Sequence, residues 1–181
     1  LTRHRRSLMV RRVFPSLEAV IEESRVLVEA GAAWGVEGSY NGTQHMWRLG
    51  SGATVRFGAV QYEEDRRKYQ GRPFDGLLVD EATELPESTV RFLMGWNRSS
   101  ELDPRTGGPQ RCRTLLTFNP PVDGVGDWVV AYFAPWVEPD HPSPAVVGEL
   151  RWVVPSGERE RAVGAEELSW WAMAGGEWRE V

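Results

Sequence analysis

Two adjacent carboxylates, Asp80 and Glu81, close a run of four residues without polar side chains, at positions 76–79. A short apolar run of this kind is typical of a strand that is buried on both faces of a parallel sheet. In open α/β sheets, ligands bind beyond the carboxyl ends of the strands, which is where both acids are expected. The first acid can hold Mg²⁺ through its water shell, and the second can accept a proton from an attacking water. The pair alone fits a strand that ends in solvated acids equally well.

Polar residues also follow a second apolar stretch, at positions 112–118, which predicts another buried strand. A helical crossover between the two strands makes them parallel and close, so Thr117 and Asn119 should share the edge of Asp80 and Glu81. An amide at this edge can hydrogen-bond both the attacking water and a terminal phosphate oxygen, and can therefore sense that phosphate. The combination is typical of P-loop ATPases of the additional-strand, catalytic-glutamate type.

The first part of the chain supplies a βα unit that can position this edge. Residues 7–13 are apolar and partly β-branched, which predicts a strand. Pro15 then opens a helix at a position where its missing N–H costs nothing, and Gly31 is expected to end that helix. Its apolar face is predicted to consist of Leu17, Val20, Ile21, Ser24 and Val28.

A change of hydrophobic period to two predicts a β-hairpin over residues 45–49 and 53–57, around Gly50-Ser51-Gly52. His45 lies on this hairpin, and the isolated positions of His4 and His141 argue against a histidine metal site.

Further elements follow from local composition. A mixed charge run at 63–68 predicts a solvated helical turn, and Glu84 is expected at a helix start. The remaining predictions are a helix from Pro86 to Trp96, a loop over 101–110, a helix over 124–133 and a strand over 150–154.

Composition excludes several classes of protein. The 181 residues suffice for one core, and no stretch is apolar enough to span a bilayer or to act as a signal peptide. The single Cys112 cannot form an internal disulfide, fits a reducing compartment, and is expected to be a small buried residue. The net charge of −5 is unfavourable for a general polyanion binder. The nine tryptophans favour packing over DNA stacking.

Basic residues are concentrated near the start of the sequence, before the first acid. They are Arg3, Arg5, Arg6, Arg11 and Arg12. Such a cluster can touch nucleic acid or phosphate, but a solvated helix end is the favoured interpretation.

No phosphate loop is present in the sequence. Lys68 is the one lysine, and nothing resembles G-x-x-x-x-G-K-[ST]. The expectation is therefore an α/β protein with a RecA-like P-loop NTPase core, a mainly parallel sheet flanked by helices, truncated before the strand that carries the loop. Residues 1–154 would form the partial ATPase domain, and residues 155–181 a carboxy-terminal linker or subdomain segment.

Four motifs in the correct order carry a resemblance to a known family. They are Val10 to Leu17, Tyr69-Gln70-Gly71-Arg72-Pro73-Phe74-Asp75 running into Leu77 to Thr83, Thr117-Phe118-Asn119-Pro120, and Gly176-Glu177-Trp178. Together with the hairpin, they resemble the large terminase subunit of tailed bacteriophages, the ATPase motor that packages viral DNA. The resemblance covers nearly the whole chain.

The resemblance implies roles for individual residues and two cofactors, ATP and Mg²⁺. Asp80 would be the Walker B aspartate that holds the metal, and Glu81 the catalytic glutamate, also near the nucleotide. Thr117 and Asn119 would couple hydrolysis to movement. Many relatives have an arginine finger before the glycine equivalent to Gly71. Gln70 stands there in this sequence, so the finger could be Arg72, Arg66 or Arg67, or lie outside the sequence.

The same resemblance implies partners and a location. They are double-stranded viral DNA, a portal protein, a small terminase subunit and further copies in a homo-oligomeric ring, in the host cytoplasm and away from membranes. The family's phosphate loop and nuclease would lie before Leu1 and after Val181. The isolated fragment is expected to be inactive.

Two alternatives stay open. Asp80-Glu81-Ala82-Thr83 looks like a DEAD-box variant of a superfamily 2 helicase, although such helicases place Ser-Ala-Thr on the next strand, where this sequence has Thr117-Phe118-Asn119. The second alternative is a non-catalytic prophage remnant.

Overall fold

A six-stranded sheet organises the first part of the chain in this computed structural model, which describes residues 5–103, 106–156, 159–163, 171–174 and 177–180. Its strands are β1 Arg6–Arg11, β2 Gly38–Asn41, β3 Met46–Leu49, β4 Thr54–Ala59, β5 Gly76–Val79 and β6 Arg113–Leu116. They lie in the order β2-β3-β4-β1-β5-β6. Several residues used in the sequence predictions lie outside the described residues, namely Leu1, Arg3, His4, Trp170, Gly176 and Val181.

The three predicted parallel strands are neighbours in this sheet. β1 pairs in parallel with β4 on one side and β5 on the other, and β5 pairs in parallel with β6. In the register, Val79 of β5 lies opposite Val10 of β1 and Leu116 of β6, so the three strands end at one edge. The fold is a mixed α/β arrangement with helices against a mostly parallel sheet, as predicted.

The β-hairpin is confirmed and extended by one strand. β3 and β4 pair antiparallel, and Gly52 takes the positive φ of 82° in the turn between them. β2 also pairs antiparallel with β3, which the sequence reasoning missed. Gly58 in β4 lies against Tyr69, where an added Cβ would be 2.0 Å from the phenol oxygen. Only glycine fits this contact.

The described residues form three α-helices: α1 Glu18–Gly31, α2 Glu87–Trp96 and α3 Asp127–Val137. A 3-10 turn over Phe14–Leu17 precedes α1 and contains Pro15 in its first turn, as predicted. α1 ends at Gly31, as predicted, and a further 3-10 turn follows over Ala32–Trp34. Gly35, in the left-handed region with φ 74°, ends it.

Some predicted helix bounds are shifted. α3 begins at Asp127 and ends at Val137, three to four residues later than the predicted 124–133. Pro86 precedes α2, whose first turn contains Glu87, so this residue rather than Glu84 is the acid at the helix start. Glu84 closes a short 3-10 turn, Ala82–Glu84. Residues Glu63–Tyr69 form a 3-10 helix, which confirms the predicted helical turn.

The sheet carries a core on each face. One cluster joins Leu8, Val10, Leu77 and Val79 to residues of α2 such as Leu93. The second cluster packs Leu17, Ile21, Trp47 and Phe57 together under α1. Alternate residues of β1 face opposite clusters, because successive side chains of a strand point to opposite faces. This two-sided burial fixes the register of β1 and β5, and hence the edge at which they end.

β6 is not the buried strand that the sequence predicts. Its residues alternate between exposed and half-buried, and Leu115 is 56% exposed. Among the described residues β6 pairs with β5 alone, so its other edge is open. A groove of about 330 Å³ lies beside it, lined by Leu115, Leu116 and aromatic residues of α3. Burial raises the pKa of Cys112, which is half-buried just before β6.

The chain divides into two compact units, residues 1–133 and 134–181. In the second unit, β7 Trp152–Ser156 pairs antiparallel with β8 Arg159–Val163, and β9 Trp171–Ala174 pairs with β10 Glu177–Glu180. β7 confirms the predicted strand near 150–154, and the predicted domain division after residue 154 stays a prediction. No helix among the described residues has both the length and the apolar character to cross a membrane.

Candidate functional site

The loops that follow β5 and β6 are bonded to each other at the carboxyl edge of the sheet. The Thr117 N–H donates to the Val79 carbonyl at 3.0 Å, and the Ala82 N–H donates to the Thr117 carbonyl at 2.9 Å. The Thr83 hydroxyl donates to the Asn119 carbonyl at 3.4 Å. The structure therefore brings the predicted residues Asp80, Glu81, Thr117 and Asn119 to one edge.

Asp80 accepts hydrogen bonds on both carboxylate oxygens. The guanidinium Nε of Arg11 donates to Oδ2 at 2.6 Å, and Nη2 of the same side chain also lies 2.6 Å from Oδ2. The Thr117 hydroxyl donates to Oδ1. The backbone N–H of Asp80 donates to the Val10 carbonyl at 3.0 Å, which continues the ladder of β1 and β5 by one residue. Both the main chain and the side chain of Asp80 are thus held in place.

Arg11 belongs to this group of residues, although the sequence analysis assigns it no role at the site. It is the last residue of β1, as the strand predicted over 7–13 implies, so the helix end favoured for the basic cluster is wrong for this residue. Its Nη1 donates to the Ser16 carbonyl at 2.7 Å, and Nη2 lies 4.0 Å from the Glu81 carboxylate. The register of β1 against β5 places Arg11 next to Asp80, because Val10 lies opposite Val79, and the sequence alone does not give this register.

The electrostatics of this edge favour an ionised Asp80. Burial by itself raises the pKa of Asp80. The hydrogen bonds from Thr117 and Arg11 and the positive charge of Arg11 together lower it by more than burial raises it. The net result is a pKa below the usual range, so Asp80 is a carboxylate at neutral pH. A carboxylate that is ionised at neutral pH is what a hard cation needs from a ligand.

Glu81 has a strained backbone. It lies in the left-handed region, with φ 55° and ψ 49°, which non-glycine residues rarely adopt. Such a conformation costs on the order of 1–3 kcal/mol and is concentrated at functional sites. Its side chain is 32% exposed, so the carboxylate reaches solvent beside Asp80. The turn therefore presents an accessible carboxylate at the strand end.

The oxygen ligands at this edge fit a cation that keeps most of its water. Mg²⁺ usually binds through one or two carboxylates together with waters and substrate phosphates. Asp80, Glu81 and the Thr117 hydroxyl supply oxygen atoms only, and Asp80 is ionised. Among the described residues no group of three or more His, Cys, Asp and Glu side chains forms a dedicated metal cage. The residues are therefore suited to magnesium held with a phosphate ligand, rather than to a tightly caged metal.

The structure does not bring Arg72 into this group of residues. Arg72 is exposed and follows the 3-10 helix that ends at Tyr69, four residues before β5 begins. It therefore precedes the strand at whose far end Asp80 lies. Of the alternative arginines, Arg66 is paired with Glu63 at 2.6 Å and lies over the Phe92 ring at 5.2 Å. The finger and nucleotide-binding roles of these arginines stay predictions.

Two other arginines of the basic cluster form ion pairs at the amino ends of β1 and β5, away from Asp80. Arg5 and Arg6 contact Glu101 at 2.7 Å and 3.0 Å. Their backbone N–H groups donate to the buried Asp75 carboxylate at 2.8 Å and 2.9 Å. These arginines thus belong to a strand and its ion pairs, and the predicted helix end is wrong.

Comparisons with known proteins give a structural neighbour but no match in sequence. No family model matches the chain, and no curated protein matches it. Among solved structures, the chain is similar to the large terminase from a thermophilic bacteriophage, with a TM-score of 0.48 and 16% sequence identity. The similarity covers 64% of this chain and 26% of that protein, so the chain spans about a quarter of that terminase.

Proposed function

We propose that this chain is the part of an ATP-driven viral DNA-packaging motor that carries the Walker B acids and the coupling residues, within a RecA-like ATPase fold. The observation that carries the proposal is the convergence of Asp80 and Glu81 after β5 with Thr117 and Asn119 after β6. Parallel neighbouring strands that end in an acid pair and in a polar turn suit phosphate chemistry at that edge.

Each residue has a distinct part in this proposal. Asp80 holds the water shell of Mg²⁺, and the hydrogen bond from Thr117 orients its carboxylate. Bound Mg²⁺ neutralises the charge on the ATP phosphates. Glu81, partly exposed and held by a strained turn, accepts the proton of the attacking water. Asn119 hydrogen-bonds the terminal phosphate and reports its loss to the rest of the motor.

The proposal places a strand that carries a phosphate loop along the open edge of β6. The exposed Leu115 and the position of β6 at the end of the strand order support this placement, since an exposed apolar edge strand normally pairs with a further strand. A loop at the end of such a strand would lie next to Asp80 and Thr117. The DNA upstream of the Leu1 codon is therefore predicted to encode G-x-x-x-x-G-K-[ST] in frame.

The motor part of the proposal is supported by the motif resemblance. The whole protein would act on double-stranded viral DNA with a portal protein and a small terminase subunit, as a homo-oligomeric ring in the host cytoplasm. Arg72, remote from Asp80 within one chain, would then act on the nucleotide of a neighbouring subunit.

The test uses the chain extended by its upstream coding region, with ATP turnover and nucleotide affinity measured separately. Glu81→Gln keeps the size of the side chain but removes the base, so ATP binding should persist while hydrolysis falls by on the order of a hundredfold. Asp80→Asn should instead raise the Mg²⁺ concentration needed for half-maximal turnover, because the metal loses a charged ligand.

The 181-residue chain alone serves as the negative control, because most phosphate contacts come from a phosphate loop. It should show no turnover above background. Equal turnover of the extended chain with and without Glu81→Gln would overturn the assignment of the active site.

A further inference from the structure

Arg11 occupies the position at the sheet edge where a cation would neutralise both acids. Two of its nitrogens lie 2.6 Å from Asp80 Oδ2, and one of them lies 4.0 Å from the Glu81 carboxylate. The Thr117 hydroxyl takes the other Asp80 oxygen, Oδ1. The guanidinium therefore occupies one Asp80 oxygen, Oδ2, and also lies near the Glu81 carboxylate.

The Arg11 side chain is fixed rather than freely exposed. It is 21% exposed, its partner Asp80 is 20% exposed, and its third nitrogen donates to the Ser16 carbonyl at 2.7 Å. An arginine held on both sides in this way keeps its charge, because a guanidinium is not deprotonated in proteins. One positive charge therefore faces two carboxylates at short range.

We propose that Arg11 is a built-in competitor of the divalent cation, which neutralises Asp80 in the cation-free protein and must release Oδ2 for the cation to bind. The inference rests on the proposed function, because the cation is the magnesium of that site. Arg11 then limits cation binding until the nucleotide's phosphates add negative charge to the edge. Such an edge would load Mg²⁺ together with ATP and hold little metal without it.

An alternative role for Arg11 predicts the opposite change in cation affinity when this residue is removed, which makes the proposal testable. If Arg11 only positions Asp80, its removal loosens the carboxylate and weakens cation binding. If Arg11 competes, its removal leaves two carboxylates without their positive neighbour, and cation binding becomes tighter. The sign of the change in affinity separates the two.

The experiment measures Mn²⁺ binding to the chain without nucleotide, from the electron paramagnetic resonance signal of the free ion. Arg11→Met removes the charge and keeps much of the apolar stem. Its dissociation constant for Mn²⁺ should fall by at least about tenfold, because a unit charge within about 4 Å of both the ligand and the cation disappears. Asp80→Asn should abolish this tight binding.

Arg12→Met is the matched control. Arg12 is the next residue, it is exposed, and the change in net charge is the same. Its effect on the Mn²⁺ dissociation constant should stay within about twofold, because charges in solvent are screened. Arg11→Lys adds a variant that keeps the charge but loses the fork of two nitrogens, and its affinity should fall between those of wild type and Arg11→Met. It serves alone if Arg11→Met does not fold.

The outcomes separate this inference from the function on which it rests. Binding that depends on Asp80 but is unchanged or weaker in Arg11→Met overturns the competition and leaves the cation site standing. For Arg11→Lys, affinity equal to or weaker than wild type has the same meaning. No Asp80-dependent binding in any of these proteins overturns both the inference and the cation site.

Discussion

The two ends of β5 each carry an aspartate that is bonded to β1, and the two are held in different ways. At the amino end, Asp75 is 3% exposed and accepts hydrogen bonds from the backbone N–H groups of Arg5 and Arg6 at 2.8 Å and 2.9 Å. At the carboxyl end, Asp80 is held by the side chains of Arg11 and Thr117. Backbone donors cannot leave, whereas side chains can rotate away.

This difference separates a carboxylate that is buried in the sheet from one whose partners are side chains near solvent. The buried Asp75 accepts hydrogen bonds from two backbone N–H groups at the start of β1 and so helps to define the register of β1 against β5. The Asp80 side chain is partly exposed to solvent and has the Glu81 carboxylate beside it. Its side-chain partners can be replaced by a ligand. Backbone hydrogen bonds therefore fix β5 to β1 at the amino end of β5, whereas exchangeable side-chain contacts join the two strands at its carboxyl end.

The largest effect on the free energy of unfolding is expected at the amino end of β5. Asp75→Asn removes a buried charge that accepts two backbone hydrogen bonds, and its amide group has only one acceptor oxygen. The free energy of unfolding should fall by about 3 kcal/mol, since each hydrogen bond to a charged group is worth roughly 1.5–3 kcal/mol. Urea denaturation followed by circular dichroism measures this.

Asp80→Asn is the matched control, because it makes the same change at the other end of the strand. Its unfolding free energy should fall by only about 1 kcal/mol, since its partners are side chains that reach solvent. If Asp80→Asn proved the more destabilising of the two, Asp80 rather than Asp75 would be the aspartate that stabilises the pairing of β1 with β5.

A smaller effect is expected from relaxing the backbone at Glu81. Glu81→Gly and Glu81→Ala both remove the carboxylate, but only glycine adopts a φ of 55° without strain. The glycine variant should therefore be more stable than the alanine variant by about 1 kcal/mol in urea denaturation. Equal stability of the two would mean that the turn stores no strain.

The smallest effect concerns pH. The pKa of Asp80 is lowered in the folded chain, because bonds from Thr117 and Arg11 outweigh the effect of burial. Its contribution to stability is thus present above the unfolded-state pKa, about 3.9, and is lost as pH falls through the folded-state value. The difference in unfolding free energy between wild type and Asp80→Asn should shrink as the pH is lowered from about 5 towards 2.5. A difference that is constant over this range would contradict the pairing.

Much of the sheet edge could be predicted from local pattern. The apolar run before Asp80, the helix after Pro86 and the hairpin all follow from hydrophobic period and turn residues, and the structure has them. The parallel pairing of β5 with β6 followed from the helical crossover that joins them. These features depend on neighbours in sequence, which a single chain displays.

The rest depends on contacts between distant residues. The apolar content of 112–118 indicates burial, but β6 is the last strand on its side among the described residues and is half exposed. Arg11 belongs to a basic run in sequence, yet its partner is 69 residues away. The positive φ of Glu81 has no local signal, since no glycine or asparagine marks it.

The proposed cation site at Asp80 is tested most directly by mapping where a divalent cation binds. Fe²⁺ in place of Mg²⁺, with ascorbate and peroxide, produces hydroxyl radicals that cut the backbone close to the bound ion. Cuts are expected near Asp80 and near Thr117. Excess Mg²⁺ should suppress them, Asp80→Asn should lack them, and Asp75→Asn should show them unchanged under conditions where it is folded. Cuts near Asp75, or cuts at Asp80 that survive Asp80→Asn, would contradict the proposed site.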